Sequence, residues 1–118
     1  MVLAEAAIGQ SRKLMTSFSR YAEHLPRAFK SSHGDRVISR SVMLLDCVVE
    51  ATSSTDSDTS ALLEKATTHL DKLRTIVQEC LDDGVFDRSK HSEVSSEIEA
   101  VEQTLISWSQ DIASAQAS

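Results

Sequence analysis

The stretch VSSEIEAVEQTLISWSQDI, residues 94–112, decides the fold. Six of its large apolar side chains, Val94, Ile98, Val101, Leu105, Trp108 and Ile112, are spaced alternately four and three residues apart. An α-helix turns once in about 3.6 residues, so that alternation keeps all six on one face. Acids, serines and glutamine occupy most positions between them. This is the a/d seam of helices packed side by side. It predicts a helix over about 89–114, capped by Ser89 or Asp87, whose apolar face must be covered by other helices.

Three further helices are expected upstream. Residues 59–83 carry Leu62 or Leu63, then Ala66, Leu70, Leu73, Val77 and Cys80 along one stripe. Gly84, after Asp82 and Asp83, reads as the left-handed residue that closes a helix. Val85 and Phe86 then fold back onto the bundle end. TSSTDSDTS, residues 52–60, has no apolar residue and is expected as a loop, with Asp58 as N-cap. Residues 35–52 form the second helix, with Asp35 or Ser32 as its cap. Ile38, Val42, Leu45 and Val49 make its face, thickened by Val37, Leu44 and Val48, so it is expected to be the most buried helix. Residues 3–25 form the first helix, with Leu14, Phe18, Tyr21 and Leu25 as its stripe, extended weakly by Leu3 and Ala7. Pro26 disfavours helical geometry at Leu25 and marks its end. Residues 26–34 are a connection with room for a short helical turn. The whole, residues 1–118, is expected as one all-α domain, an antiparallel up-down four-helix bundle.

Composition agrees with that class. Aromatics are only 4% and glycine plus proline total four, too few for strands and tight turns. No apolar run approaches the roughly 18 residues of a membrane span. The N-terminus has an early acid, Glu5, and no basic region before an apolar stretch, so no signal peptide is expected. Cys47 and Cys80 lie on apolar stripes and are expected as reduced core thiols in a cytoplasmic protein.

Charge is unevenly distributed. The formal net charge is −6, yet residues 1–42 hold seven Lys/Arg against three Asp/Glu, and residues 43–118 hold five against fifteen. HLPRAFKSSHGDRVISR, residues 24–40, concentrates Arg27, Lys30, Arg36 and Arg40 around the only proline. Arg36 and Arg40 share a helix face. With Arg20 from the end of the first helix, all five cations are expected at one end of the bundle. Such a cluster holds phosphates through charge-assisted hydrogen bonds, or matches the acidic half of its own or a neighbouring subunit. Few aromatics lie nearby, only Tyr21 and Phe29, so base stacking has little basis.

Catalytic chemistry finds no support. Gly9, Gly34 and Gly84 are too far apart for a phosphate loop. His24, His33, His69 and His91 fall in different elements, and no CxxC exists, so no metal, cofactor or catalytic residue is expected. His69 with Lys72 loosely resembles the His-x-x-Lys of histidine phosphotransfer domains. Leu73, however, stands where those domains usually carry glycine.

The order of features resembles a known family. A helix ends in LPR, a short basic loop with His-Gly follows, and an Arg-containing helix opens into VMLLDCVVEA. Then come HLDKLRTIVQECLDDGVFD and a serine-capped helix ending in TLISWSQ. LDKLRTIVQECLDDGVFD is similar to that family's Leu-Asp-x-Leu-Arg helix and its exit, and LISWSQ to its Leu-x-x-Trp. Over roughly residues 14–112 the chain resembles the four-helix accessory variability determinant proteins of diversity-generating retroelements. Their superfamily includes proteins encoded in intervening sequences of bacterial 23S ribosomal RNA genes. The resemblance implies a non-enzymatic, ring-shaped homo-oligomer, pentameric where characterised, that binds a reverse transcriptase and its RNA and supports cDNA synthesis. It places nucleic-acid contacts at Arg27, Lys30, Arg36 and Arg40. The chain departs from the family in charge. Such accessory proteins are strongly basic, whereas its pI is about 5.1. Net negative charge repels RNA at long range, so contact depends on local cationic patches. A scaffold that binds only protein is the alternative.

Overall fold

The computed structural model describes residues 2–117; Met1 and Ser118, included in the expected domain, lie outside them. The helices are α1 (Val2–Glu23), α2 (Arg27–Phe29), α3 (Asp35–Ala51), α4 (Asp56–Asp82) and α5 (Arg88–Ala117), with a π-helical turn at Lys30–Gly34 between α2 and α3. No strand occurs among the described residues. The four long helices form a bundle in a rod of 52 × 21 × 19 Å. α1 packs on α3 and α5, and α4 packs on the same two, so the helices stand at the corners of a square. Among the described residues, no helix is long and apolar enough to cross a membrane.

The α5 seam lies inward as expected: Val94, Ile98, Val101, Leu105, Trp108 and Ile112 are all buried. On α4 the buried row is Thr59, Leu63, Ala66, Leu70, Leu73, Val77 and Cys80, with Ile76 beside it. Val85 and Phe86 also fold into the core.

α3 differs from expectation. Its buried row is Val37, Ser41, Leu44, Val48 and Ala51. Of the face expected to lead, Val42 and Val49 are 39% and 43% exposed, while Ile38 and Leu45 are only partly covered. The reason is Ser41, which is fully buried and bonds the Ile38 carbonyl at 2.8 Å. A small residue there completes a regular four-three seam that a count of large apolar residues misses. α1 follows the same rule, with Ala4, Ala7 and Ser11 preceding Leu14, Phe18 and Tyr21 in the buried row.

The connection after α1 is more helical than its sequence indicates. Pro26 has extended dihedrals, and its carbonyl accepts from the amides of Phe29 (2.9 Å) and Lys30 (3.0 Å), so a new helix starts directly behind it. The Asp35 amide reaches back five residues to the Lys30 carbonyl, which defines the π turn. Neither Asp35 nor Ser32 therefore caps α3, because the chain before it is already helical. Gly34 is buried there, and a Cβ on it would stand 3.4 Å from Ala22 Cβ.

α4 starts earlier than expected. Thr55, in extended geometry, occupies the N-cap position assigned to Asp58. Asp58 lies within the first turn and accepts from Thr55 Oγ1 at 3.3 Å. Buried Thr59 faces the carbonyls of Ala51 (3.3 Å) and Ser54 (3.2 Å), drawing residues 56–60 into the helix and leaving a loop of only 52–55. At the far end Gly84 adopts φ +74°. Its amide bonds the Leu81 carbonyl at 3.1 Å and the Val85 amide bonds the Cys80 carbonyl at 2.8 Å, the paired closure that requires a left-handed residue. α5 is capped by Asp87, whose carboxylate accepts from the Lys90 amide at 2.8 Å.

Two adjacent residues test the register of α3. Leu44→Ala is expected to cost about 2–5 kcal/mol in denaturant unfolding, and Met43→Ala, 46% exposed, less than about 0.5 kcal/mol. Equal costs would place the wrong face inward. Ser11 tests the seam of α1, since its hydroxyl is buried without a hydrogen-bond partner. Ser11→Ala is expected to stabilise the bundle by about 1 kcal/mol.

Candidate anion-contact groove

The five cations do not share one surface. Arg20, near the end of α1, reaches α5 and pairs with Glu93 at 3.4 Å. Arg36 and Arg40 lie on the opposite side of the square, where α3 meets α4. Arg36 pairs with Glu79 at 2.7 Å. Arg27 and Lys30 lie in the helical turn, exposed, with no ion pair among the described residues. His33 ties this turn to the α4 exit: its Nε2 lies 2.9 Å from Asp83 and its ring packs edge-on against Phe29.

Between α3 and α4 runs a groove of about 420 Å³. Arg36, Ser39, Arg40 and Met43 line it from α3, and Lys72 and Thr75 from α4. Arg40 has no carboxylate partner among the described residues. Its Nη1 instead donates to His69 Nδ1 at 3.1 Å. Arginine never gives up its proton here, so Nδ1 is the bare nitrogen and the ring hydrogen sits on Nε2. Burial, then Arg40 and Lys72, push His69 below the ordinary histidine range. Lys72 and His69 were absent from the residues read as a nucleic-acid surface. Lys72 shares a helix face with Thr75 and Ile76, a periodicity readable in the sequence, but nothing local shows that this face meets Arg40.

The opposite seam holds a denser polar network. Tyr21 donates to Glu93, and the Arg20 guanidinium lies 5.2 Å from the Tyr21 ring centre. Ser17, buried, lies 3.0 and 2.9 Å from the two carboxylate oxygens of Glu97. Both thiols are free. Burial pushes Cys80 up to about 11 and raises Cys47 as well, the reverse of what an activated thiolate needs. Among the described residues no group of three metal-ligating side chains converges. Neither protein-family models nor curated proteins give a match to the chain.

Glu97 supplies a pH test. Burial raises its pKa most, and Glu93 adds to this against the opposing effects of Ser17, Lys13 and Arg20. A carboxyl raised in the folded state favours folding while protonated. That contribution is full below the ordinary carboxylate range and is lost as pH rises through the folded value. Glu97→Gln keeps an acceptor for Ser17 without the charge. It is expected to raise Tm at neutral pH by on the order of a few degrees, with the gain disappearing in acid. A variant less stable than the parent at neutral pH contradicts this.

Proposed function

We propose that the chain is an antiparallel up-down four-helix bundle acting as a non-enzymatic accessory protein of a diversity-generating retroelement in the cytoplasm. In this reading it closes into a ring-shaped homo-oligomer, a pentamer, and holds a reverse transcriptase with its RNA or cDNA. The direction of the helices is supported by their cross-contacts. Along α3 and α4 these run Arg36 with Glu79, Arg40 with His69 and Ala51 with Thr59. Along α1 and α5 they run Ser17 with Glu97 and Arg20 with Glu93.

One observation carries the functional reading. α3 leaves large apolar side chains exposed on two sides: Val42 and Val49 on one face, and Met43, about 100° around the helix, where it lines the cationic groove of Arg36, Arg40 and Lys72. Exposed large apolar side chains gathered on one helix suit a protein contact. The cations of the groove suit a phosphate backbone that must approach an otherwise acidic protein through a local patch. In this reading the exposed apolar residues of α3 form the assembly surface and the groove the nucleic-acid surface, with Arg27 and Lys30 extending it around the turn.

A protein-only scaffold is the second reading. It is favoured by Arg20 and Arg36, which already face carboxylates of their own chain. These pairs are half-exposed, and such pairs contribute only about 0–1 kcal/mol, so phosphate can displace Glu79 from Arg36.

Light scattering at micromolar concentration is expected to give a particle several times 12.9 kDa. Val42→Ser, Met43→Ser and Val49→Ser combined should return it to a folded monomer. A parent protein that is monomeric throughout removes the ring. Salt-dependent RNA binding is expected of the parent and lost in Arg36→Glu plus Arg40→Glu at unchanged helicity. Absence of RNA binding by an oligomeric parent leaves the scaffold reading in its place.

A further inference from the structure

The groove between α3 and α4 contains a conflict that no carboxylate relieves. Arg40 and Lys72 both bear on His69, and Arg40 occupies its bare nitrogen. The charged groups facing the site are Asp35, Arg36 and Arg40 on α3, and His69, Lys72 and Glu79 on α4. Asp35 stands on the groove wall, and Glu79 is taken by Arg36. α1 and α5 contribute no lining residue. With Arg36 matched by Glu79, Arg40 and Lys72 against Asp35 leave the groove net cationic, with the hydroxyl residues Ser39 and Thr75 on its two walls.

Two states of His69 exclude each other. While Arg40 donates to Nδ1, that nitrogen cannot hold a proton. Once Nδ1 is protonated, Arg40 must turn away, and the imidazolium becomes a third positive charge beside Lys72. An anion seated between Arg40 and Lys72 favours the second state twice over. It offers Arg40 a better acceptor than imidazole, and it offsets the charge that keeps His69 neutral.

We propose that this groove binds a single phosphate group between Arg40 and Lys72, and that His69 couples its occupancy to pH by taking one proton from solvent as Arg40 leaves Nδ1 for the phosphate. The inference rests on the reading of this groove as a phosphate-contacting surface, and adds to it Lys72, His69 and a direction of pH dependence. By reciprocity, acid tightens phosphate binding and bound phosphate makes His69 easier to protonate. The phosphate belongs either to a nucleic-acid backbone or to a free phosphate.

The test uses the full chain at constant ionic strength. One ligand is a dinucleoside monophosphate, whose single diester charge does not change across the range; the other is inorganic phosphate. Kd is measured at about pH 5.5 and about pH 8, either side of the histidine range, and the His69 ring signal is titrated by NMR with and without ligand. Binding of the diester is expected to be about fivefold or more tighter in acid, with the His69 titration moving upward when it is bound. Lys72→Gln should weaken binding at both pH values, and His69→Gln should bind with no pH dependence. A diester that binds equally at both pH values, with the His69 titration unmoved, overturns the coupling and leaves the groove as a phosphate surface. Inorganic phosphate that shifts His69 where the diester does not bind keeps the coupling and removes the nucleic acid. Failure of both ligands to bind overturns the site itself.

Discussion

Everything in this bundle depends on four seams that must be covered at once. In each long helix the buried row steps alternately four and three residues: Ala4 to Tyr21 in α1, Val37 to Ala51 in α3, Thr59 to Cys80 in α4 and Val94 to Ile112 in α5. A repeat averaging 3.5 residues keeps one face toward neighbours that wind around each other. Full burial of each large aliphatic side chain contributes roughly 1.5–3 kcal/mol, against a comparable loss of chain freedom. No helix meets that cost alone. α5, with Trp108 and five aliphatics, lies between α1 and α4, and these two flank α3.

The seams also place the polar pairs. Glu93, Glu97 and Glu102 stand beside the α5 seam, where they meet Arg20, Ser17 and Arg74. Arg36 and Glu79 flank the α3 and α4 seams in the same way. These contacts are mostly half-exposed and add little to stability, but they dispose of charge. Within residues 24–40 they leave Arg27, Lys30 and Arg40 with no ion pair among the described residues, as they do Arg12, Lys13, Lys65, Lys72, Arg88 and Lys90 elsewhere. The positive charge of residues 24–40 is thus divided: Arg36 faces a carboxylate of its own protomer, Arg40 lines the α3–α4 groove, and Arg27 and Lys30 lie exposed in the turn.

The π-helical turn explains how the short connection achieves this. Five residues in one wide turn bring buried Gly34 under Ala22 and Leu25 and point His33 at Asp83. The turn is held from both sides, so Arg27 and Lys30 project from a fixed helical surface rather than from a loose loop. π turns recur at functional positions because they redirect side chains without breaking the helix.

The sequence by itself determined four helices, the stop at Pro26, the left-handed closure at Gly84 and the complete seam of α5, and it narrowed the α5 cap to Ser89 or Asp87 and the α4 seam to Leu62 or Leu63 followed by Ala66 to Cys80. These are local signals, since they need only the helical period and the conformational limits of proline and glycine. Three things were decided only by tertiary structure. α3 carries two apolar rows about 100° apart, and periodicity cannot choose between Val37, Leu44, Val48 and Ile38, Val42, Leu45, Val49. The row that contains small Ser41 is the one that faces inward, with Ser41 itself fully buried. Residues 27–34 became helical because Gly34 packs on α1 and His33 on the α4 exit. Which arginine is neutralised was set by partners 29 to 73 residues away in the chain, from His69 on Arg40 to Glu93 on Arg20. Spacing along one helix says which cations share a face, whereas the helix standing opposite decides whether that face meets a carboxylate, an imidazole or water.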